Sequence, residues 1–365
     1  MSPTVSINPF LDGDNTVRSL NRAPLVALPG VAVDDGVLGR RGYDLISAAA
    51  LTNAIAAAAP ALGLDPAAPD LILRFDRCFD EAAARPRAET IARAFGRRLG
   101  FFLLMLRRGE AANRAARPEW SDAHWAYWSR VRGVVLGGGL LAGRLGPLAV
   151  PAAQELLDAH GAELRLTRAP YPAQLPLLGL ARSAPLTARA LLAFDFGQTA
   201  VKRGLARFAD GALAAMQLWP NAATDCEDLS RPERSREEAR GRWGRMLDLC
   251  AASWADLPAL ERGQTALGIS LACYLNDGHP APTELGCYGV LQLLAPHLES
   301  FVRQEIRQRL GAPVDVVLRH DGTAAAAAYA GETDWVVVML GTAIGSGFPP
   351  EAAGLWPLAD AFRLT

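Results

Sequence analysis

Leu191-Leu192-Ala193-Phe194-Asp195-Phe196-Gly197-Gln198-Thr199-Ala200-Val201-Lys202 is the stretch on which the reading of this chain turns. An apolar run reads as a buried strand, Gly197 as a turn, and Val201 as the opening of a second strand. A turn of this kind can offer backbone N–H groups and the Thr199 hydroxyl to phosphate oxygens. The Asp195 carboxylate can hold Mg²⁺ directly or through water. Lys202 supplies a point charge for a phosphate, although alternation along the strand could also aim it outward. It is the only lysine in the chain; every other member of the 37 Lys+Arg residues is arginine.

Two further glycine turns follow apolar strands. Gly341-Thr342-Ala343-Ile344-Gly345-Ser346-Gly347 comes after VVVM, and reads either as an ordinary hairpin turn or as a second place where main chain meets a polyphosphate. Gly137, Gly138 and Gly139 follow VRGVVL and could let a nucleobase or ribose lie against main chain. Asp321 stands where the strand VDVVLRH gives way to the helix TAAAAAYAG, as a helix N-cap or as a general base for a substrate hydroxyl. His320 beside it is a packing or capping neighbour with a minor claim to substrate contact.

Working outward, Met1 to Arg41 shows no sustained period and reads as loops with one short strand. Tyr43 to Leu62 reads as a helix, Asp70 to Phe75 as a strand, and Arg87 to Arg107 as a helix. Trp120, Trp125 and Trp128 read as packing between a helix and a sheet rather than as a sugar platform. A helix over Gln154 to His160, the strand LRLTR and a helix over Gln174 to Arg182 lead to the connector SAPLTARA. Beyond the opening strand, VKRGLARF and LAAMQLW read as strands at hairpin spacing, and Asp225 to Leu260 as a charged helical region. TALGISLACYL reads as a strand, Leu291 to Leu310 as a long helix, and DWVVVMLGTAIGSGF as strand, turn and strand. The class is α/β with at least two sheets.

With 365 residues, half of them hydrophobic, the chain is long enough for two cores. A formal net charge of -1 gives no global attraction to nucleic acid or an anionic membrane. A small neutral or anionic substrate fits better, with a possible homodimer. The first fifteen residues lack the marks of a targeting segment and no apolar run spans a bilayer, so the expectation is a cytoplasmic protein. Cys78, Cys226, Cys250, Cys273 and Cys287 have no ligand spacing and read as reduced core thiols.

Taken together, these segments resemble the actin-like ATPase superfamily, and within it the ROK-type sugar kinases. DFGQTAVK looks like the first phosphate motif, HDGTAAAAAYAGE the segment with the catalytic aspartate, GTAIGSG the second phosphate motif, VVLGGGLL the adenosine motif, and LLGLAR the closing helix. The resemblance implies two ribonuclease-H-like domains with ATP·Mg²⁺ in a cleft between them. It also implies transfer of the γ-phosphate to a hydroxyl of a sugar or polyol. In that scheme Asp195 positions the metal, and Gly197, Thr199, Lys202, Gly341, Thr342, Gly345 and Gly347 the phosphates. Gly137 to Gly139 take the nucleoside and Asp321 the acceptor proton. GISLACYLNDG resembles the segment leading to the sugar cleft, making Asn276 and Asp277 candidate sugar ligands. The family's zinc-binding Cys/His segment and its Glu-x-x-His are not evident, and His320 replaces an Asn. A non-catalytic nucleotide- or ligand-sensing member is the alternative.

The order of segments differs from the family's, since the adenosine motif and closing helix come first, and it matches a circular permutation. That reading expects residues 1–182 with 335–365 as one domain, 190–332 as the other and 183–189 as connector. It places both chain ends in the first domain and pairs the strand at Trp335 with that at Gly133.

Overall fold

The computed structural model describes residues 8–10, 17, 19–224, 226, 235–276, 278–280 and 287–365. The chain is α/β and divides into two compact units, residues 1–173 with 334–346 and residues 174–333 with 347–365.

The first unit is built on a four-stranded sheet in the order β13-β12-β3-β4, comprising Ile344–Gly347, Trp335–Leu340, Gly133–Gly137 and Arg165–Arg168. Strand β3 runs parallel to both β12 and β4, and every residue of β3 is buried. Such two-sided burial explains the unbroken apolar run GVVLG. The helix Arg85–Arg108 carries the largest share of the apolar packing, with Phe101 to Leu106 all buried. Its Gly96 and Gly100 lie against Ala149, Ala153 and Leu156 of the helix Leu145–Ala159, where a Cβ on Gly96 would strike the Ala149 carbonyl. Trp120, Trp125 and Trp128 are buried here as packing residues. A two-residue ladder, β1 (Pro24–Leu25) with β2 (Arg40–Arg41), and a 3-10 turn, Leu20–Arg22, lie among the described early residues.

Local chemistry moves several boundaries. The expected helix from Tyr43 is two helices, Gly42–Ile46 and Ala48–Leu62, divided at Ser47, whose hydroxyl accepts from Ala50 N–H as an N-cap. Asp70 to Phe75 is not a strand. It belongs to the helix Leu71–Cys78, which buries Leu71, Phe75 and Cys78 at spacings of four and three and joins Asp70 to Arg74 at 2.6 Å. The window was too short for that period to show. The single helix expected over Leu291 to Leu310 is a 3-10 turn, Cys287–Leu293, and a helix, Leu298–Leu310. Pro296 separates them, as proline disfavours helical backbone in the residue before it.

The second unit centres on a six-stranded sheet in the order β11-β8-β5-β6-β7-β14: Val316–His320, Thr265–Leu271, Ala190–Phe196, Val201–Ala209, Ala212–Ala222 and Leu358–Leu364. A short ladder of β9 (Leu275–Asn276) and β10 (His279–Pro280) stands apart from it. Strands β6 and β7 form a hairpin turned by Asp210 and Gly211, both at positive φ. The helices Arg236–Ala255 and Leu298–Leu310 cover an apolar cluster on the sheet that includes Phe194, Leu192, Trp243, Met246 and Ile306.

The units do not divide where the sequence suggested. Residues 174–182 and 347–365 belong to the second unit, so the C-terminal end does not lie in the first. Strand β14 had no signature: its side chains are mostly exposed, and what holds it is backbone pairing to β7, with Leu218 N–H donating to Thr365 and Thr365 N–H to Met216. The helix Leu175–Arg182 lays Gly179 against the Ala324 carbonyl, leaving no room for a Cβ. Arg182, buried, donates to the carbonyls of Ala328 and Trp356. Among the described residues no helix is long and apolar enough to cross a membrane.

The cysteine expectation is also corrected. Cys226 and Cys287 form a disulfide across a Cα separation of 5.5 Å, while Cys78, Cys250 and Cys273 are buried free thiols. Spacing in sequence could not show a pairing over 61 residues. Thiol titration of the unfolded, unreduced protein is expected to count the three free cysteines, and five after reduction. The substitution Cys226→Ser should lower unfolding free energy by about 2–4 kcal/mol in urea titrations.

Candidate functional site

Three adjacent strands of the second unit set one row of side chains. Parallel pairing places Ser270 of β8 opposite Asp195 of β5, and antiparallel pairing places Lys202 of β6 opposite Asp195 from the other side. Directly paired residues point to the same face, so hydroxyl, carboxylate and ammonium converge. Ser270 Oγ donates to Asp195 Oδ1 at 2.8 Å, and Lys202 Nζ to Oδ2 at 2.8 Å. Asp195 is almost fully buried, whereas a quarter of the Lys202 side chain, 25%, is exposed.

Burial acts against the Lys202 charge, but Asp195, by field and hydrogen bond, and Asp321, by field, outweigh it and raise the lysine above its ordinary value of 10.5. Lys202 is therefore an inward-turned counter-ion to Asp195 that also feels Asp321. One oxygen of Asp195 is bonded to an ammonium and the other to a hydroxyl, so a divalent ion held there, directly or through water, would share the carboxylate with Lys202 and Ser270.

At the turn, Gly197 N–H returns to the Asp195 carbonyl, and Thr199 is exposed at the tip. Tyr288 donates its hydroxyl to the Gly197 carbonyl at 3.1 Å and lies within hydrogen-bond distance of Thr224 Oγ1. Tyr288 follows Cys287, so the disulfide and the turn share a neighbour. A cavity of ≈ 120 Å³ opens there, lined by Phe196, Val201, Thr224, Arg242, Met246 and Tyr288.

Asp321 opens the helix Asp321–Ala327 at the end of β11, and His320 is that helix's N-cap. The imidazole accepts from Thr323 N–H through Nδ1 at 3.2 Å and lies 3.0 Å from Asp321 Oδ1 through Nε2. Tyr274 stacks on the His320 ring with centroids 4.2 Å apart. The Asp321 carboxylate accepts from Gly322 N–H at 2.6 Å through Oδ1, the oxygen that also faces His320 Nε2. Asp321 keeps 26% of its side chain exposed, while His320 is buried.

The glycine turns fall in different units. Gly137, Gly138, Gly139, Gly341, Thr342 and Gly345 are in the first, and Gly197, Thr199, Lys202, Asp195, Asp321 and His320 in the second. Gly138, at φ 96°, passes so close to the Leu340 backbone that a side chain is excluded, which sets two of these turns side by side. The Gly341 turn is held by Ala48 N–H on the Gly341 carbonyl, and by the Asn21 amide bonding both N–H and C=O of Ile344. Gly347 belongs to the second unit, where a Cβ would strike the Gly322 carbonyl. It is a close-packing glycine beside the Asp321 helix. Asn276 pairs through its backbone with His279; its side chain and Asp277 lie outside the described residues.

Ser270, Tyr274, Tyr288 and Asn21 escaped the sequence reading. A serine in a buried strand, GISL, was the one usable signal, because a buried hydroxyl needs a partner. The others depend on pairing across long stretches of chain.

Removing Lys202 would leave the Asp195 carboxylate buried without its cation. Lys202→Met is expected to destabilise the protein by roughly 3 kcal/mol at neutral pH, with much of the loss recovered in Asp195→Asn/Lys202→Met. Urea unfolding of wild type, Lys202→Met, Asp195→Asn and the double variant checks it. The folded state raises this lysine, so its contribution is complete below the ordinary lysine range and fades as pH climbs through the raised value. The gap between wild type and Lys202→Met should therefore narrow in strongly alkaline buffer.

Compared with known protein families and with curated proteins, the chain matches none.

Proposed function

We propose that this chain is an ATP-dependent phosphotransferase acting on a hydroxyl of a small carbohydrate-like acceptor, on a circularly permuted actin-like ATPase fold akin to the ROK-type sugar kinases. The observation that carries the reading is the Lys202 ammonium, held 2.8 Å from Asp195 Oδ2 and within the field of Asp321, directly after a glycine turn. An ammonium beside such a turn is a point charge that a phosphate can recruit. Asp321, partly exposed and held through one oxygen only among the described residues, has its second oxygen to accept a hydroxyl proton. Phosphoryl transfer of this class depends mainly on positioning and charge neutralisation.

The pairing of β12 with β3 supports the permutation, because it joins the strand before the Gly341 turn to the strand before Gly137. So does the continuous run of β5, β6, β7, β8 and β11 in the other sheet, which suits a ribonuclease-H-like core. A cytoplasmic setting belongs to this proposal. The Cys226–Cys287 bridge argues against it, since such bonds persist mainly in oxidising compartments.

One observation favours a second reading, a ligand-sensing protein without turnover: both oxygens of Asp195 are already engaged. ADP release measured over a panel of hexoses, amino sugars and polyols separates the two. On the kinase reading some acceptor stimulates release, and Asp321→Asn lowers turnover roughly 10²-fold with ATP affinity little changed. Asp321→Asn turning over at the wild-type rate refutes the general-base role. Nucleotide binding without release for every acceptor favours the sensor.

A further inference from the structure

We propose that Tyr288 is a positioning residue for the Gly197 turn and that the Cys226–Cys287 bridge is the redox latch that seats it. The consequence for nucleotide rests on the kinase reading above; the coupling of bridge to turn does not. Tyr288 donates its hydroxyl to the Gly197 carbonyl at 3.1 Å. A trans peptide is planar, with its C=O and N–H pointing opposite ways, and among the described residues no peptide bond is cis. Holding the Gly197 carbonyl on Tyr288 therefore aims the Gln198 N–H away from the ring, as a fixed donor for an anionic ligand at the turn.

The bridge holds both sides of that contact. Cys287 directly precedes Tyr288, and Cys226 comes shortly after Thr224, whose Oγ1 lies 3.1 Å from the Tyr288 hydroxyl. The tyrosine is 2% exposed and meets Phe196 of β5 edge-on, with ring centroids 6.1 Å apart. Val290 and Leu291 bury the far end of the 3-10 turn Cys287–Leu293, while the bridge ties its near end to the chain leaving β7. Opening the bond removes that near tie, and the Tyr288 contact loses the constraint that keeps it in place.

The surroundings suit a bond that opens. Cys226 is partly exposed and Cys287 is buried, so a thiolate of a dithiol reductant attacks Cys226 Sγ. The S–S bond breaks and Cys287 leaves as thiolate beside Arg242, whose Nη1 donates to its sulfur. The reductant's second thiol, after losing its proton to solvent, attacks its own sulfur in the mixed disulfide. That step releases Cys226 and closes the reductant into a cyclic disulfide. Two electrons pass to the cysteines, which take up protons as thiols. In a reducing compartment such a bond is a sensor rather than a staple.

Hydrogen exchange read by mass spectrometry follows the turn. Dithiothreitol without denaturant is expected to open the bridge, counted by alkylation, and to speed exchange over residues 196–201 while the helix Leu298–Leu310 stays protected. Tyr288→Phe should show the faster turn with the bridge closed, and reduction should add little to it. A bridge that dithiothreitol leaves intact, a turn unmoved by its opening, or loss of protection throughout the unit overturns the proposal. So does a reduction effect as large in Tyr288→Phe as in wild type. ATP binding is titrated on both proteins, oxidised and reduced. On the kinase reading, reduction and Tyr288→Phe each weaken it roughly 3- to 10-fold without adding. Equal ATP affinity in all four samples rejects Tyr288 as a positioning residue. Coupled exchange with no ATP binding in any sample leaves the latch standing and rejects the nucleotide reading alone.

Discussion

A carboxylate almost wholly removed from water, Asp195, can stay charged only if it is paired, and the centre of the second unit is arranged around that requirement. The pair is made at strand level. β6 must return antiparallel beside β5 in the one register that puts Lys202 opposite Asp195, and β8 must run parallel on the other side with Ser270 opposite. A slip of one residue in either strand would turn these side chains to the other face and strand the charge. The turn Gly197–Ala200 is short because the register leaves it no more chain.

Asp321 is placed by a different means, close packing of small residues. Gly179 lets the helix Leu175–Arg182 touch the backbone of the Asp321 helix, and Gly347 does the same from the far side at Gly322. Arg182 then satisfies the carbonyl of Ala328, one residue beyond the last helical residue Ala327, and that of Trp356, so a buried guanidinium ties three segments of the unit together. Burial holds that arginine below the usual range. The alanines of TAAAAAYAG are thus a packing surface as much as a helical preference: Ala324 to Ala327 are buried, and larger side chains would push the neighbouring backbones apart.

Much of this was legible along the chain. Buried strands announced themselves as apolar runs, LLAFDF, VVVM and GVVLG, and VKRGLARF and LAAMQLW stood at hairpin spacing. Asp195 and Asp321 were recognisable as carboxylates at strand ends, and Lys202 by its uniqueness. The helix Leu71–Cys78 was misread because a six-residue window contains less than two helical turns. Strand β14 was not read at all, because its side chains face water and its stability comes from backbone bonds that any sequence can make.

The sequence by itself determined which residues could be buried, where the chain must turn, and which few side chains carry chemistry, because those properties belong to single residues and their immediate neighbours. Only the tertiary structure decided what each of them faces. It turned Lys202 inward on Asp195 instead of outward, stacked the ring of His320 against Tyr274, joined Cys226 to Cys287, and assigned the last nineteen residues to the second unit. The physical reason is common to all four: a strand register or a helix contact fixes pairs of groups far apart in the chain, and the energies that choose the pair, desolvation and backbone hydrogen bonding, exist only once the partner is in place.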